Sequence, residues 1–214
     1  MINNITATPS RPLVGEEDLL ASRYRWLFES PPCGQKASAA LHLTPLPTPL
    51  GLMVAGVPVE GVCLLEFMNR IHLEKEIQEL QHMLAAALVP APTVLSGQLE
   101  EEVQEYFAGT RKIFSVPLHT PGTLFSQSVW QHLQRIPYGT TCSYQEQAAR
   151  MGNSRAIRAI AAANGRNRLA ILIPCHRVVG SNGAMTGYAA GVDKKKWLLQ
   201  HERSHSPTPG GQLF

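Results

Sequence analysis

Two short helical patterns about three residues apart, SYQEQAARMG (143–152) and NSRAIRAIAAANGRN (153–167), constrain this chain more than any other stretch of it. Ser143 is placed to cap the first, with Glu146 three residues on completing a capping box, and Ser154 is placed to cap the second. Two short helices joined by a glycine-containing turn are the layout of a helix-turn-helix. The second pattern is narrow, with Ala156, Ala159, Ala161, Ala162 and Ala163, and its only charges are Arg155 and Arg158, followed just beyond it by Arg166. A small-faced helix bearing only positive charge can lie close to a nucleic-acid duplex. Tight packing against neighbouring helices accounts for the alanines equally well, but not for the missing acids.

That absence extends further. Between Glu146 and Asp193 there is no acidic residue, while Arg150, Arg155, Arg158, Arg166, Arg168 and Arg177 all fall there. The net charge of the chain is only +3, so the distribution carries more information than the sum. A solvated face is the competing explanation of such a one-sign stretch.

With 214 residues the chain can bury one large core or two smaller ones, and a change of texture near residue 118 favours two. Residues are 44% hydrophobic and 16% charged, which describes a folded globular protein rather than a disordered one. Residues 1–45 are punctuated by Pro, Ser and Thr and read as a loose extension with one short helix near 16–28. From 46 to 118 the pattern is that of a small α/β domain. GLMVAGVPVEGVCLLEF (51–67) reads as a β-hairpin with Cys63 in its core. Leu73, Ile77, Leu80, Leu84 and Leu88 follow a helical period, and Leu99, Val103, Tyr106 and Phe107 mark a second helix that Gly109 ends. VPLHTPGT (116–123) reads as an interdomain linker. Beyond it, Phe125, Val129, Trp130 and Leu133 align on one helical face and open a domain over 119–204, leaving 205–214 as a disordered tail.

The four cysteines, Cys33, Cys63, Cys142 and Cys175, are irregularly spaced with no C-x-x-C, and the N-terminus lacks the layout of a secretory signal. Both features indicate a reducing compartment, and the expected location is cytoplasmic or nucleoid-associated. No apolar run approaches the roughly 18 residues of a membrane span, so no membrane partner is expected.

LAILIPCHRVVG (169–180) places Cys175 and His176 after a proline that ends an apolar run. Cys175 can be core filler, a metal ligand or a nucleophile. No other Cys or His has zinc-like spacing to it. An ordinary thiol is only a few per cent thiolate at neutral pH, and a nearby imidazole that takes its proton is a recognised activating device. Adjacent residues point in different directions, so His176 would act through a turn or a bridging water. Such a base needs a third group to orient it, and Glu202 in KKKWLLQHE (194–202) is a candidate, with a solvated carboxylate as the alternative.

Read together, SYQEQA, AIRAIAAANGRN, ILIPCHRVVG, GAMTGYAAG and KKWLLQHE resemble the C-terminal domain of the O6-alkylguanine-DNA alkyltransferases, also called methylated-DNA protein-cysteine methyltransferases. The resemblance spans about 119–202, and the hairpin at 51–67 with EYFAGTRKIF (105–114) is similar, less specifically, to the family's N-terminal domain. It implies a small ribonuclease-H-like α/β domain followed by a mostly helical winged helix-turn-helix domain. Cys175 would accept the alkyl group from guanine O6 in one irreversible displacement, His176 would take the thiol proton through a water, and Glu202 would hold the imidazole. Tyr144 would help rotate the nucleotide out and donate a hydrogen bond to the leaving guanine, and Asn167 would brace the loop to the active site. Val178, Tyr188 and Ala189 would line the guanine pocket. Arg158 would fill the gap in the base stack, with Ser154, Arg155, Ala156 and Arg166 on the same DNA-binding face.

The implied partner is duplex DNA containing O6-alkylguanine, and the relatives' O4-alkylthymine is a further possible substrate. Binding would be through the minor groove, largely independent of sequence, by a monomer needing neither cofactor nor metal. Asn164 stands where other members place a bulkier apolar residue, and Ala189 where some carry Ser. Leu213 and Phe214 faintly resemble the ends of sliding-clamp-binding peptides. Two other functions compete: a non-catalytic or regulatory helix-turn-helix protein that senses alkylguanine, and a cysteine hydrolase using Cys175, His176 and Glu202.

Overall fold

Leu41 and Leu43 are buried between half-buried neighbours, which is the alternation of a half-buried strand, and Leu46 ends β1 (Ala39–Leu46) as a further buried residue. The computed structural model describes residues 38–206 together with Ser22, Tyr24, Arg25 and Leu27. β1 pairs antiparallel with β2 (Met53–Val57), which pairs antiparallel with β3 (Leu64–Phe67), as the hairpin expected at 51–67 requires. Helix α1 (Leu73–Leu84) then crosses to the other edge, where β4 (Ala86–Val89) runs parallel to β1 and completes a sheet of order β3-β2-β1-β4.

Two expectations for this half are corrected. The sheet begins at Ala39, inside the stretch read as a loose extension, because the prolines there do not interrupt pairing: β4 reaches only His42, so Pro45 lies past that ladder, where no N–H is needed. Nor does the helix continue to Leu88. It stops at Leu84, Ala85 adopts a left-handed φ of 48°, and the next four residues form β4. Ala86 and Leu88 are buried in alternation, so one short apolar run satisfied both a helical and a strand period.

The sheet is covered on both faces. Tyr24 and Leu27 pack with Leu73, Ile77 and Leu80 of α1 on one side, so at those two positions the extension is core rather than loose. The remainder of the short helix expected near 16–28 lies outside the described residues, as do the tail beyond Ser206 and the clamp-like Leu213 and Phe214. Helix α2 (Val94–Phe107) packs on the other side through Leu99, Val103 and Tyr106. It starts earlier than its apolar period suggests, at a capping box formed by Thr93 and Ser96, and Gly109 follows its end with φ of 77°.

Residues 116–123 do not hang free between the halves. Val116 is buried, and Val62 and Pro117–His119 exchange backbone hydrogen bonds of 2.8 and 2.9 Å. Leu65 likewise exchanges two bonds of 2.8 Å with Arg168 and Ala170, so the edge strand β3 is covered by the C-terminal half. One hydrophobic cluster runs from Phe67 and Tyr106 through Trp130 to Ile173 and Leu198.

The C-terminal half contains α3 (Leu124–Gln134), α4 (Tyr144–Arg150), α5 (Ile157–Gly165) and α6 (Val192–Ser204). A two-stranded ribbon pairs β5 (Cys142–Ser143) with β6 (Val178–Val179). Val129, Trp130 and Leu133 are buried on α3 as expected, whereas Phe125 is 39% exposed. Ser143 caps α4 and Glu146 returns the bond, at 3.1 and 2.6 Å. Ser143→Ala is expected to remove about 1 kcal/mol of stability, read as a lower urea midpoint at unchanged m-value; an unchanged midpoint would deny the cap its role. Ser154 does not cap α5. Residues 153–156 close a turn, Ala156 N–H to Asn153 carbonyl at 3.0 Å, so Ala156 occupies the cap position with no side-chain bond and Ser154 is exposed. Among the described residues no helix is long and apolar enough to cross a membrane.

Candidate active site

The apolar run LAILI is a buried turn rather than a strand, with Ile173 N–H bonded to Leu169 carbonyl at 2.8 Å and Ile171 at a left-handed φ of 73°. Pro174 ends it, and Cys175–Arg177 form a single 3-10 turn. That turn sends neighbouring side chains to opposite sides. Cys175 is partly exposed and lines a cleft of about 640 Å³, while His176 and Arg177 are buried against α6.

Glu202 is fully buried rather than solvated. Its Oε1 accepts from Tyr106 Oη at 2.9 Å, His176 Nε2 at 2.8 Å and Arg177 Nη2 at 2.9 Å. Its Oε2 accepts from Arg177 Nε at 2.9 Å and Gly139 N at 3.0 Å. Burial by itself pushes this carboxyl up. The hydrogen-bonded His176 and Arg177 outweigh burial and hold it well below the usual carboxylate range.

Burial pushes the His176 imidazolium down despite Glu202, so the ring is neutral at neutral pH. A neutral ring facing a carboxylate carries its proton on Nε2, which leaves Nδ1 as the lone-pair nitrogen. Nδ1 is buried and, among the described residues, has no hydrogen-bond partner. The ring is therefore a base with its orientation and tautomer already set.

The thiol is held from the other side. Asn167 Nδ2 donates to Cys175 Sγ at 3.2 Å and to Ile173 carbonyl at 2.8 Å, and its Oδ1 accepts from Leu169 N at 3.0 Å. Burial pushes the Cys175 thiol up, opposed by the Asn167 bond and by the cations Arg70 and Lys195. The resting group is therefore a thiol, and it needs a base before it can attack. Cys63 and Cys142 are pushed up to about 12 and about 11, chiefly by burial. Cys63 is core, as its place in the hairpin predicts, and Cys142 is buried in β5.

Tyr144, Arg158, Cys175, Tyr188 and Ala189 line one cleft, so five of the expected site residues meet there. Burial pushes the Tyr144 and Tyr188 hydroxyls up, so both remain proton donors. Val178 is not on the cleft wall: it is buried in β6, its N–H bonds the Cys175 carbonyl and its carbonyl accepts Lys195 Nζ at 2.6 Å. Asn164 lines the cleft but is tied to Gln147 by bonds of 2.8 and 3.3 Å, and Trp130 Nε1 donates to Ala163 carbonyl at 2.9 Å. These contacts hold α5 against α3 and α4.

The arginines of the acid-free stretch divide. Arg168 pairs with Glu79 at 2.5 Å and Arg177 with Glu202, both acids from outside the stretch. Arg155, Arg158 and Arg166 are exposed and, among the described residues, make no ion pair. Ser154 is exposed beside them and Ala156 half-buried.

Several site residues escaped the sequence reading. Arg177, Tyr106 and Gly139 converge on Glu202 across gaps of 25, 96 and 63 residues. Lys195 is fully buried with its Nζ on the carbonyls of Val178, Thr186 and Gly187. One signal for it exists: Lys195, Leu198, Leu199 and Glu202 share a helical period, which puts the lysine on the buried face of α6. Glu66 and Arg70, from the end of β3 and just beyond, complete the cleft. Among the described residues no group of three His, Cys, Asp or Glu could hold a metal ion.

Exposed arginines on and beside a short helix, unpaired among the described residues, flank a cleft lined by a cysteine, the arrangement of a protein suited to nucleophilic chemistry next to a polyanion. Residues 124–204 match the family described as 6-O-methylguanine DNA methyltransferase, DNA binding domain. A Bacillus subtilis (strain 168) protein named methylated-DNA–protein-cysteine methyltransferase, constitutive, is 40% identical over 166 residues, 76% of this chain and 95% of that protein. A Methanosarcina acetivorans methylated-DNA–protein-cysteine methyltransferase is 50% identical over 107 residues, 50% of this chain and 69% of that protein. The crystal structure of Mycobacterium tuberculosis OGT in complex with DNA superposes with a TM-score of 0.66 at 36% identity, covering 78% of this chain and 95% of that one. This chain belongs to the methylated-DNA–protein-cysteine methyltransferase family.

Proposed function

We propose that this protein repairs alkylated DNA by moving one alkyl group from guanine O6 to Cys175 Sγ, once per molecule. What supports the reading is the pair of arrangements at the 3-10 turn: an amide donor on Cys175 Sγ, and on the next residue a buried imidazole whose Nε2 is held by Glu202. His176 Nδ1 takes the thiol proton through a water. The thiolate attacks the alkyl carbon, the S–C bond forms as the C–O6 bond breaks, and the electron pair leaves on the guanine. Tyr144, kept protonated by burial, donates to that leaving base. The S–C bond of the thioether product is not cleaved by water under ordinary conditions, so each molecule acts once.

The substrate must leave the duplex, because O6 is hidden inside the stack. A cleft of about 640 Å³ accommodates one base, and Arg158 on its rim is free to enter the gap. Arg155 and Arg166 supply phosphate contacts, so binding is salt-sensitive and largely independent of sequence, through the minor groove of DNA and by a monomer. Strand order and the short, closely spaced helices α4 and α5 support the finer reading as a ribonuclease-H-like domain followed by a winged helix-turn-helix domain, with a division near residue 118.

The test is intact mass after incubation with duplex DNA containing O6-methylguanine. One methyl gained per molecule, absent in Cys175→Ala, is expected; binding with no gain would point to a sensor, and repeated ester hydrolysis to a hydrolase. A parallel duplex with O4-methylthymine tests the wider substrate range.

A further inference from the structure

Arg70 lies just past β3, outside the half of the chain that carries the cysteine, yet it is 5% exposed at the wall of the cleft. Its guanidinium is shared four ways. Nη1 donates to Glu66 Oε2 and to the Asn167 carbonyl at 3.0 Å, and Nη2 donates to Glu76 Oε1 at 2.5 Å and to the Gly165 carbonyl at 2.9 Å. The two carbonyls matter most. Gly165 is the last residue of α5, whose terminal carbonyls lack helical partners and favour a cation. Asn167 is the residue whose side chain holds Cys175 Sγ. One planar cation thus joins the end of the helix bearing Arg158 to the backbone of the residue that places the nucleophile.

Resting on the alkyl-transfer reading, we propose that Arg70 is a positioning residue for the reaction, and that Glu66 and Glu76 serve to aim it. The fork of donors is what the job needs: a lysine, a point charge on a flexible stem, cannot meet two carboxylates and two carbonyls at fixed angles. Glu66 is held by Phe67 N–H at 3.1 Å on its other oxygen, so it anchors Arg70 to the sheet rather than following it. Charge adds to geometry. The groups facing the thiol are Asn167, Glu66, Arg70 and Lys195, with His176 next in the chain and Tyr144 and Tyr188 across the cleft. Arg70 favours the thiolate and Glu66 opposes it.

The experiment measures the rate of methyl gain from an O6-methylguanine duplex against pH for the full chain, Arg70→Met, Arg70→Lys and Glu66→Gln, with thermal unfolding as a fold check. Arg70→Met should react at least about ten-fold more slowly at neutral pH, with the thiol limb of its profile moved to higher pH. Arg70→Lys should recover part of the profile and little of the rate. Glu66→Gln should move the limb the opposite way, to lower pH. A purely structural role would shift neither profile, or both in one direction, and either result would overturn the proposal; so would a wild-type rate in Arg70→Met. If Arg70→Met does not fold, the direction of the Glu66→Gln shift decides. Should the unmodified protein gain no methyl group at all, the alkyl-transfer reading fails first, and alkylation of Cys175 by iodoacetamide across the same pH range still tests Arg70.

Discussion

Glu202→Gln is expected to lower the unfolding free energy by about 3–5 kcal/mol and to slow alkyl transfer by at least about a hundred-fold. The substitution is nearly isosteric, so its effect comes from chemistry rather than volume. Five donors from four residues converge on two carboxylate oxygens, namely Tyr106, His176, Gly139 and twice Arg177. A glutamine amide must turn its NH2 toward one of those sets of donors, whichever way it flips. Arg177, buried at 6% exposure, is left without its counter-charge. His176 loses the carboxylate that fixes its proton on Nε2, and with it the availability of Nδ1.

The same substitution changes the response to acid. In the wild type the Glu202 carboxyl is depressed in the folded state, so its contribution to stability is complete above the unfolded carboxylate pKa of about 4.3 and is lost as pH falls below it. Glu202→Gln should lack that part of the acid limb. Urea unfolding at several pH values measures both effects. A stability loss under about 1 kcal/mol with an unchanged acid limb would mean the five bonds are not what holds α6 to the reactive turn.

Arg158→Ala is expected to slow repair in duplex DNA by roughly thirty-fold, equivalent to about 2 kcal/mol, while leaving reaction with the free O6-alkylguanine base unchanged. Arg158 is exposed, makes no ion pair among the described residues and lines the cleft, so its removal breaks no ion pair there. Its task arises only when a base has left the stack. Single-turnover rates on the two substrates separate the roles: equal loss on both would place Arg158 in the chemical step, and no loss on either would remove it from the mechanism. Arg166→Ala, by contrast, should weaken duplex binding and reduce its salt dependence without changing the rate at saturation.

Much of the fold was legible where local signals agreed. Ser143 and Glu146 announced their own capping box because both partners lie within one turn. The hairpin at 51–67 and the amphipathic face of α1 followed from period alone. Errors occurred where one local pattern fitted two structures. Ala86–Val89 satisfied the helical period of the preceding residues, and only the presence of β1 alongside made it a strand. Pro45 looked like a breaker, and the short reach of β4 made it harmless. Ser154 was a reasonable cap by residue type, but the turn at 153–156 delayed the helix past it.

The reactive parts are legible in the chain before it folds: a cysteine after a proline, a histidine beside it, a carboxylate downstream and an arginine-only helix. Those are properties of residue type and local order, and chemistry needs them whatever the fold. How they act depends on long-range packing. It buried Glu202 under donors drawn from α2, the α3–β5 loop and the 3-10 turn, and it gave His176 its tautomer. It also paired Arg168 and Arg177 while leaving Arg155, Arg158 and Arg166 without an ion pair among the described residues, and brought Arg70 from the N-terminal sheet to the backbone of Asn167, 97 residues away. Such contacts depend on which surfaces meet when the core closes, and no local pattern encodes that.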